Sequence, residues 1–223
     1  MTYEEVLSAL RANADETYRA FHKKLLKNDR INVIGVRMPV LRRLAKEWKA
    51  HTETFLRFPD EFYEVTFLKC ALVGQLSYGE FVNYVDAVVP LLDNWATCDC
   101  FAPKCVASHR EEFLPYLEKY ASRKGEFERR FALTTLLHFY VTEEYFPVLF
   151  RFLEESDQSD YYVMMAAAWL TAEVIVTDFE AGVAFLRKGV LTKETHNKAI
   201  QKARESFRLS SEQKAFLSGL KRK

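Results

Sequence analysis

The chain has 223 residues, 49% of them apolar and 14% aromatic, enough to bury a substantial core. Only 7 Gly and 6 Pro leave little room for the turns of a many-stranded protein, and no apolar run approaches the ~18 residues of a membrane span. A formal net charge of +1 argues against an easy nucleic-acid assignment, because dedicated binders are commonly more basic.

Residues 3–12 have helical spacing, with Val6, Leu7 and Leu10 on one side. Glu4 and Glu5 interrupt any apolar leader core, so no secretion signal is expected and the location is expected to be cytoplasmic. Residues 15–26 form a second helical run. Its apolar positions Tyr18, Phe21, Leu25 and Leu26 predict a core-facing stripe, and Lys23, Lys24, Lys27 and Arg30 make its end basic. The stretch 31–39 is rich in β-branched residues. It reads as an extended connector leading to Pro39, which suits the first turn of a helix over 39–50. That helix buries Leu41, Leu44, Ala45 and Trp48 and exposes Arg42, Arg43, Lys46 and Lys49. Such a row is either a phosphate-facing rail or an ordinary solvated face.

Helices are predicted over 61–76 and 78–92. A central stretch follows, in which Trp95 and Asp99 stand one helical turn apart in a helix running toward His109, with Pro103 implying a bend or a late start. Further helices are predicted over 111–120, 126–140, 142–155, 161–176, 179–187, 197–207 and 211–220, with Thr195 or His196 capping the penultimate one. These make about ten or more helices joined by short turns, recurring in pairs at roughly 35 to 45 residues, the span of HEAT-type repeats. The expected fold is all-α, an α-α superhelix of HEAT-like helical repeats forming a single domain over 1–223.

The paired Trp95 and Asp99 combine a flat aromatic surface with a carboxylate, which can position water or offset a developing positive charge. Equally, a Trp near a helix start serves the core and an Asp in a first turn serves the helix dipole. Cys98, Cys100, Cys105 and His109 do not have the spacing of a zinc site and read as buried or half-buried thiols, and the clustered cysteines do not form a disulfide framework. Arg129 and Arg130 open an otherwise apolar helix, where an Arg either caps and snorkels or grips a phosphate. In the helix over 161–176, Ala166, Ala167 and Ala168 precede Trp169 and permit close approach by a neighbouring helix or a ligand. Lys198 and Lys202, and Arg204 and Arg208, are one-turn pairs that make a second basic row. There is no Gly-rich phosphate loop, G-x-S-x-G elbow or H-E-x-x-H motif, so no metal and no nucleotide cofactor is expected.

Asn94-Trp95…Asp99, Arg129-Arg130 at a helix start, the Ala-rich helix ending at Trp169, and the closing helix with Asn197, Lys198, Gln201, Lys202, Glu205 and Ser206 occur in an order that resembles bacterial AlkD-type DNA glycosylases, the HEAT-like-repeat DNA alkylation repair proteins. The resemblance covers about 15–220. It implies a superhelix that holds alkylated duplex DNA, acts as a monomer without a cofactor, and excises cationic N3- and N7-alkylated purines without flipping the base. It assigns Asp99 to stabilising the sugar cation and positioning water, and Trp95 and Trp169 to packing around the lesion. Arg130, or Arg129 in its place, would hold a nearby phosphate. Arg42, Arg43, Lys198, Lys202 and Arg204 would supply nonspecific backbone contacts. Active members also carry an aromatic residue on an N-terminal helix that enters the minor groove, and no counterpart is evident between Ala12 and Ile34. The sequences around Gly35–Pro39 and Tyr161-Tyr162 look closer to a divergent branch that keeps the scaffold and weakens DNA binding or excision. Two alternatives therefore stand beside the glycosylase: a noncatalytic or weakly active DNA-binding paralogue, and a helical-repeat scaffold for protein interaction.

Overall fold

A computed structural model describes residues 1–26 and 28–223. Lys27, expected in the basic end of the second helix, lies outside the described residues. Among the described residues the structure is all-helical, with fourteen α-helices and a single isolated β-bridge between Ala14 and Val36. The helices fall into two compact units, Met1–His109 and Arg110–Lys223.

The first unit contains α1 (Tyr3–Ala12), α2 (Glu16–Leu26), α3 (Met38–Glu47), α4 (Thr52–Leu56), α5 (Tyr63–Val73), α6 (Tyr78–Val88) and α7 (Trp95–Cys100). Thr2 and Glu5 close a reciprocal capping box at the start of α1, and Asp15 accepts from the Tyr18 amide at the start of α2. Helix α5 is buried along almost its whole length, which includes two charged residues, Glu64 and Lys69. Lys69 satisfies its ammonium on the Phe58 carbonyl (2.6 Å) and on Asp60 (2.9 Å), so the loop before α5 is tied to the helix.

Glu64 anchors the connector that the sequence marked as extended. Its carboxylate accepts from the backbone amides of Ile34 (2.9 Å), Gly35 (2.7 Å) and Val36 (3.2 Å). These amides have no ladder to bond to, and a buried charge needs several donors, so each satisfies the other. Gly35 makes the turn possible. Its φ is +101°, and an added Cβ would stand 2.6 Å from the Cβ of Arg19 and 2.8 Å from the carbonyl oxygen of Asp15.

The second unit contains α8 (Arg110–Ala121), α9 (Glu126–Phe139), α10 (Phe146–Glu155), α11 (Tyr161–Thr177), α12 (Phe179–Lys188), α13 (Lys193–Glu205) and α14 (Ser211–Gly219). Helix α11 packs between α9 and α13, while α8, α10, α12 and α14 each pack on their neighbours in the chain. The result is a succession of helix pairs, the HEAT-like arrangement expected. Gly182 permits the close crossing of α11 and α12, since a Cβ there would lie 2.5 Å from the Cα of Ile175.

Several boundaries differ from those expected. The helix over 39–50 ends at Glu47, passes through a 3₁₀ turn over Lys49–His51 and restarts as α4, with Thr52 bonded back to the Lys49 carbonyl at 2.7 Å. Helix α7 stops at Cys100, because Pro103 follows and the chain must leave helical geometry before it. Pro147 delays α10 to Phe146 behind another 3₁₀ turn. Helix α13 starts at Lys193, a turn earlier than expected. Thr192, rather than Thr195 or His196, caps it by accepting from the Thr195 amide at 3.2 Å. The stripe on α2 is also different: His22 and Leu26 face the core, whereas Phe21 and Leu25 are 58% and 38% exposed.

Candidate nucleic-acid interface

In the first unit the candidate residues gather on α7. Asn94 caps the helix, accepting from the Thr97 amide at 2.8 Å and donating through its own amide nitrogen to Asp93 (2.7 Å) and to the Thr97 hydroxyl (3.1 Å). Asn94 and Thr97 are buried, so this short helix starts from a fixed point. Trp95 is half-buried against the core, and its indole N–H donates to the Leu25 carbonyl at the end of α2 (3.3 Å). One turn on, Asp99 is half-buried beside Cys100. Burial pushes the Cys100 thiol up; the nearby Arg42 guanidinium pulls it partly back, and the Asp99 carboxylate pushes it further up. Arg42 and Cys100 line one cleft, with Asp99 next to Cys100 in the chain.

A file of aromatic rings runs inward from the surface of α2. Arg37 pairs with Asp15 (2.7 Å) and lies 5.1 Å over the Tyr18 ring. Tyr18 stacks on His22 at 5.3 Å, and His22 meets Tyr63 at 4.5 Å. Burial pushes the phenol of Tyr63 far above its usual range and pulls the imidazole of His22 below its usual value of 6.5. His196 in α13 is buried likewise, donates from Nε2 to the Leu220 carbonyl (2.8 Å), and is lowered mainly by burial.

These two imidazoles set an expectation for acid stability. Each binds its proton less readily folded than unfolded, so its contribution is complete above about pH 6.5 and is lost as the pH falls toward the folded-state values. Urea midpoints should fall between pH 7.5 and 5.5, and His22→Gln with His196→Gln should flatten that dependence. An unchanged slope in the double variant would assign the acid sensitivity elsewhere.

In the second unit Trp169 is half-buried on α11, its ring beneath the Lys202 ammonium at 5.7 Å and edge-on to His138 at 6.4 Å. Trp169, Lys202, Glu173 and Glu205 line a small surface cleft of about 240 Å³. The alanines before Trp169 are buried and seat α11 against its neighbours, as the packing reading of that stretch expects. Lys198 is held by Gln201 at 3.0 Å, and Arg204 is exposed. On α3, Arg43 pairs with Glu47 at 3.7 Å, while Arg42 lines a cleft with Cys100.

Arg129 and Arg130 are both buried. Arg129 donates to Asp160, to the Asp157 carbonyl and to the Lys124 carbonyl, binding the turn before α11 to the start of α9. Arg130 donates to the Tyr162 carbonyl at 2.6 Å and lies 5.9 Å over the Tyr162 ring. The contacts of Arg129 serve the fold. Its apolar neighbours in the sequence carried that possibility, but its acidic partners lie 28 and 31 residues away in another helix pair and are not visible from local spacing.

The sequence reading also missed Phe21. Its helical spacing with Tyr18 and Leu25 suggested a core stripe, yet the core takes the adjacent face through His22 and Leu26. The available signal was a second apolar row on a short helix with only one face to bury.

Stacked helix pairs joined by short turns define a helical-repeat protein. A family model described as DNA alkylation repair enzyme matches residues 6–209, and the chain belongs to that family. Its role accordingly lies in DNA alkylation repair, with DNA as its partner. No curated protein matches the sequence. Among the described residues, no helix is long and apolar enough to cross a membrane.

Proposed function

We propose that this protein is a DNA glycosylase that releases cationic N3- and N7-alkylated purines from duplex DNA without flipping the base, and that Asp99 is its central catalytic group. The observation that carries this reading is the half-buried Asp99 carboxylate, one turn from the half-buried Trp95, on a helix fixed at its start by Asn94. Alkylation gives the purine a positive charge. When the C1′–N bond breaks, its electron pair neutralises the base and the positive charge passes to the deoxyribose. A fixed carboxylate beside the sugar favours that charge more than it favours the intact nucleotide. Water then adds at C1′ and its proton passes to Asp99 or solvent. The base need only leave, so no deep base pocket is required.

Trp95 and Trp169 would pack against sugar and backbone. Phe21, exposed on α2 one turn before Leu25, whose carbonyl holds Trp95, would be the N-terminal aromatic that meets the minor groove. Arg42, Arg43, Lys198, Lys202 and Arg204 would bind phosphates as a monomer on one duplex. Arg130, only 5% exposed, would contribute to a phosphate contact through a small accessible edge, and Arg129 through the turn it holds.

The test is incubation of the protein with methylated duplex DNA and mass spectrometry of the bases set free. Release of 7-methylguanine or 3-methyladenine is expected, with binding that weakens steeply as salt rises. Salt-sensitive binding without release would support the noncatalytic paralogue instead, a reading favoured by the near-neutral net charge. Absence of both would leave the scaffold.

A further inference from the structure

The first unit contains a cavity of about 720 Å³ whose lining includes neither Asp99 nor Trp95 and shares only Arg42 with the proposed duplex contacts. Arg42, Lys46 and Lys49 face it from α3 and the turn that follows, and Lys104 faces it from the chain after α7. Arg42, Lys46 and Lys49 recur at helical spacing, so the row converges on the cavity as one face. Among the described residues no carboxylate lines the cavity, and none of the four cations forms an ion pair. Elsewhere on α3 the pattern is different, since Arg43 is paired with Glu47. Lys46 and Lys49 also border a second cleft with Glu47, Glu53 and Glu80, and an anion bound in the cavity offsets the repulsion that remains among the four like charges.

The cavity is not only charged. Phe67, Phe101, Ala71 and Gly74 contribute to its lining. The volume lies in the range of small-ligand sites, which combine apolar walls with a few placed polar groups. A ligand that meets both halves has a flat apolar ring and a multiply charged anion a few bonds away.

We propose that this cavity binds a nucleoside 5′-monophosphate, either as a free mononucleotide or as the phosphorylated end of a DNA strand. The phosphate sits among Arg42, Lys46, Lys49 and Lys104, and the base lies along the apolar wall. Cys100 and Cys105 also line the cavity and report on its occupancy, because Cys100 is exposed and Cys105 half-buried while Cys70 and Cys98 are buried.

Calorimetric titration at low salt with deoxyadenosine monophosphate, deoxyadenosine and inorganic phosphate tests the site. Alkylation of Cys100 and Cys105 by iodoacetamide, followed by mass spectrometry, is measured with and without each compound. The monophosphate should bind at least about tenfold more tightly than the nucleoside, the factor that corresponds to one charge-assisted contact. It should also slow labelling of both thiols. Lys46→Ala and Lys104→Ala, both at exposed positions, should each weaken it by about tenfold.

A 5′-phosphorylated duplex and its unphosphorylated twin identify the source. Preference for the phosphorylated duplex, with no affinity for the free monophosphate, assigns the site to strand ends. Equal binding of nucleoside and monophosphate overturns the proposal, as does equal binding of inorganic phosphate and monophosphate. Failure of both the monophosphate and the phosphorylated duplex to bind or to protect the thiols overturns it as well. Base release from methylated DNA, measured on the same preparation, reports separately on Asp99.

Discussion

Replacing Asp99 with Asn should lower base release from methylated duplex DNA by about 100- to 1000-fold, the range seen when one preorganised group facing transition-state charge is removed. The substitution keeps the shape of the side chain and one acceptor oxygen. It removes the negative charge that faces the sugar as the base departs, and it removes the acceptor for the proton of water. Single-turnover kinetics should show the loss in the chemical step, with DNA affinity changed far less, because a carboxylate gives little to a polyanion in the ground state. Urea denaturation of the same variant separates a loss of chemistry from a loss of fold, since α7 keeps its Asn94 cap. Release within about threefold of the parent would remove Asp99 from the chemistry and turn attention to the binding-only reading.

Glu64→Ala should be among the most damaging single changes to the fold, costing about 3 to 5 kcal/mol in urea denaturation. Three amide hydrogens would lose their acceptor inside the core, and water cannot easily replace it where Ile34, Gly35, Val36 and Glu64 are all buried. Glu64→Gln is expected to cost less, because one carbonyl oxygen remains, although its amide nitrogen then faces a donor. A loss below about 1 kcal/mol for the Ala variant would mean that the connector repacks or admits water. The same variant should carry an activity defect that follows its unfolded fraction, unlike Asp99→Asn, whose defect should persist at temperatures where the fold is intact.

The helical class, the extended connector and most helix positions are legible in the sequence, since 3.6-residue periodicity and capping residues are local signals. The pairing of Trp95 and Asp99 on one helix is legible for the same reason: both lie within the six residues of α7. What was not legible depends on distant partners. Whether Arg129 meets a phosphate or Asp157 and Asp160 depends on a helix pair folded back onto it. Whether Phe21 or His22 enters the core depends on Tyr63, more than forty residues further along. A histidine and a phenylalanine side by side give the naive ranking the wrong way round, because burial is decided by the face that the neighbouring helix covers. Glu64 escaped for the opposite reason. A glutamate in an apolar helix carries no local sign that three backbone amides await it.

That carboxylate has an evolutionary corollary. Glu64 grips main-chain amides, and every residue other than proline supplies the same amide. Substitutions at Ile34 and Val36 can therefore drift among apolar types without touching the anchor, while Gly35 is held by its positive φ and by the lack of room for a Cβ. The contact joining residues 34–36 to α5 should leave an invariant glycine and an invariant glutamate, with no compensating exchange between them. Methods that find neighbours through correlated substitutions would be blind to one of the most important attachments in the first unit.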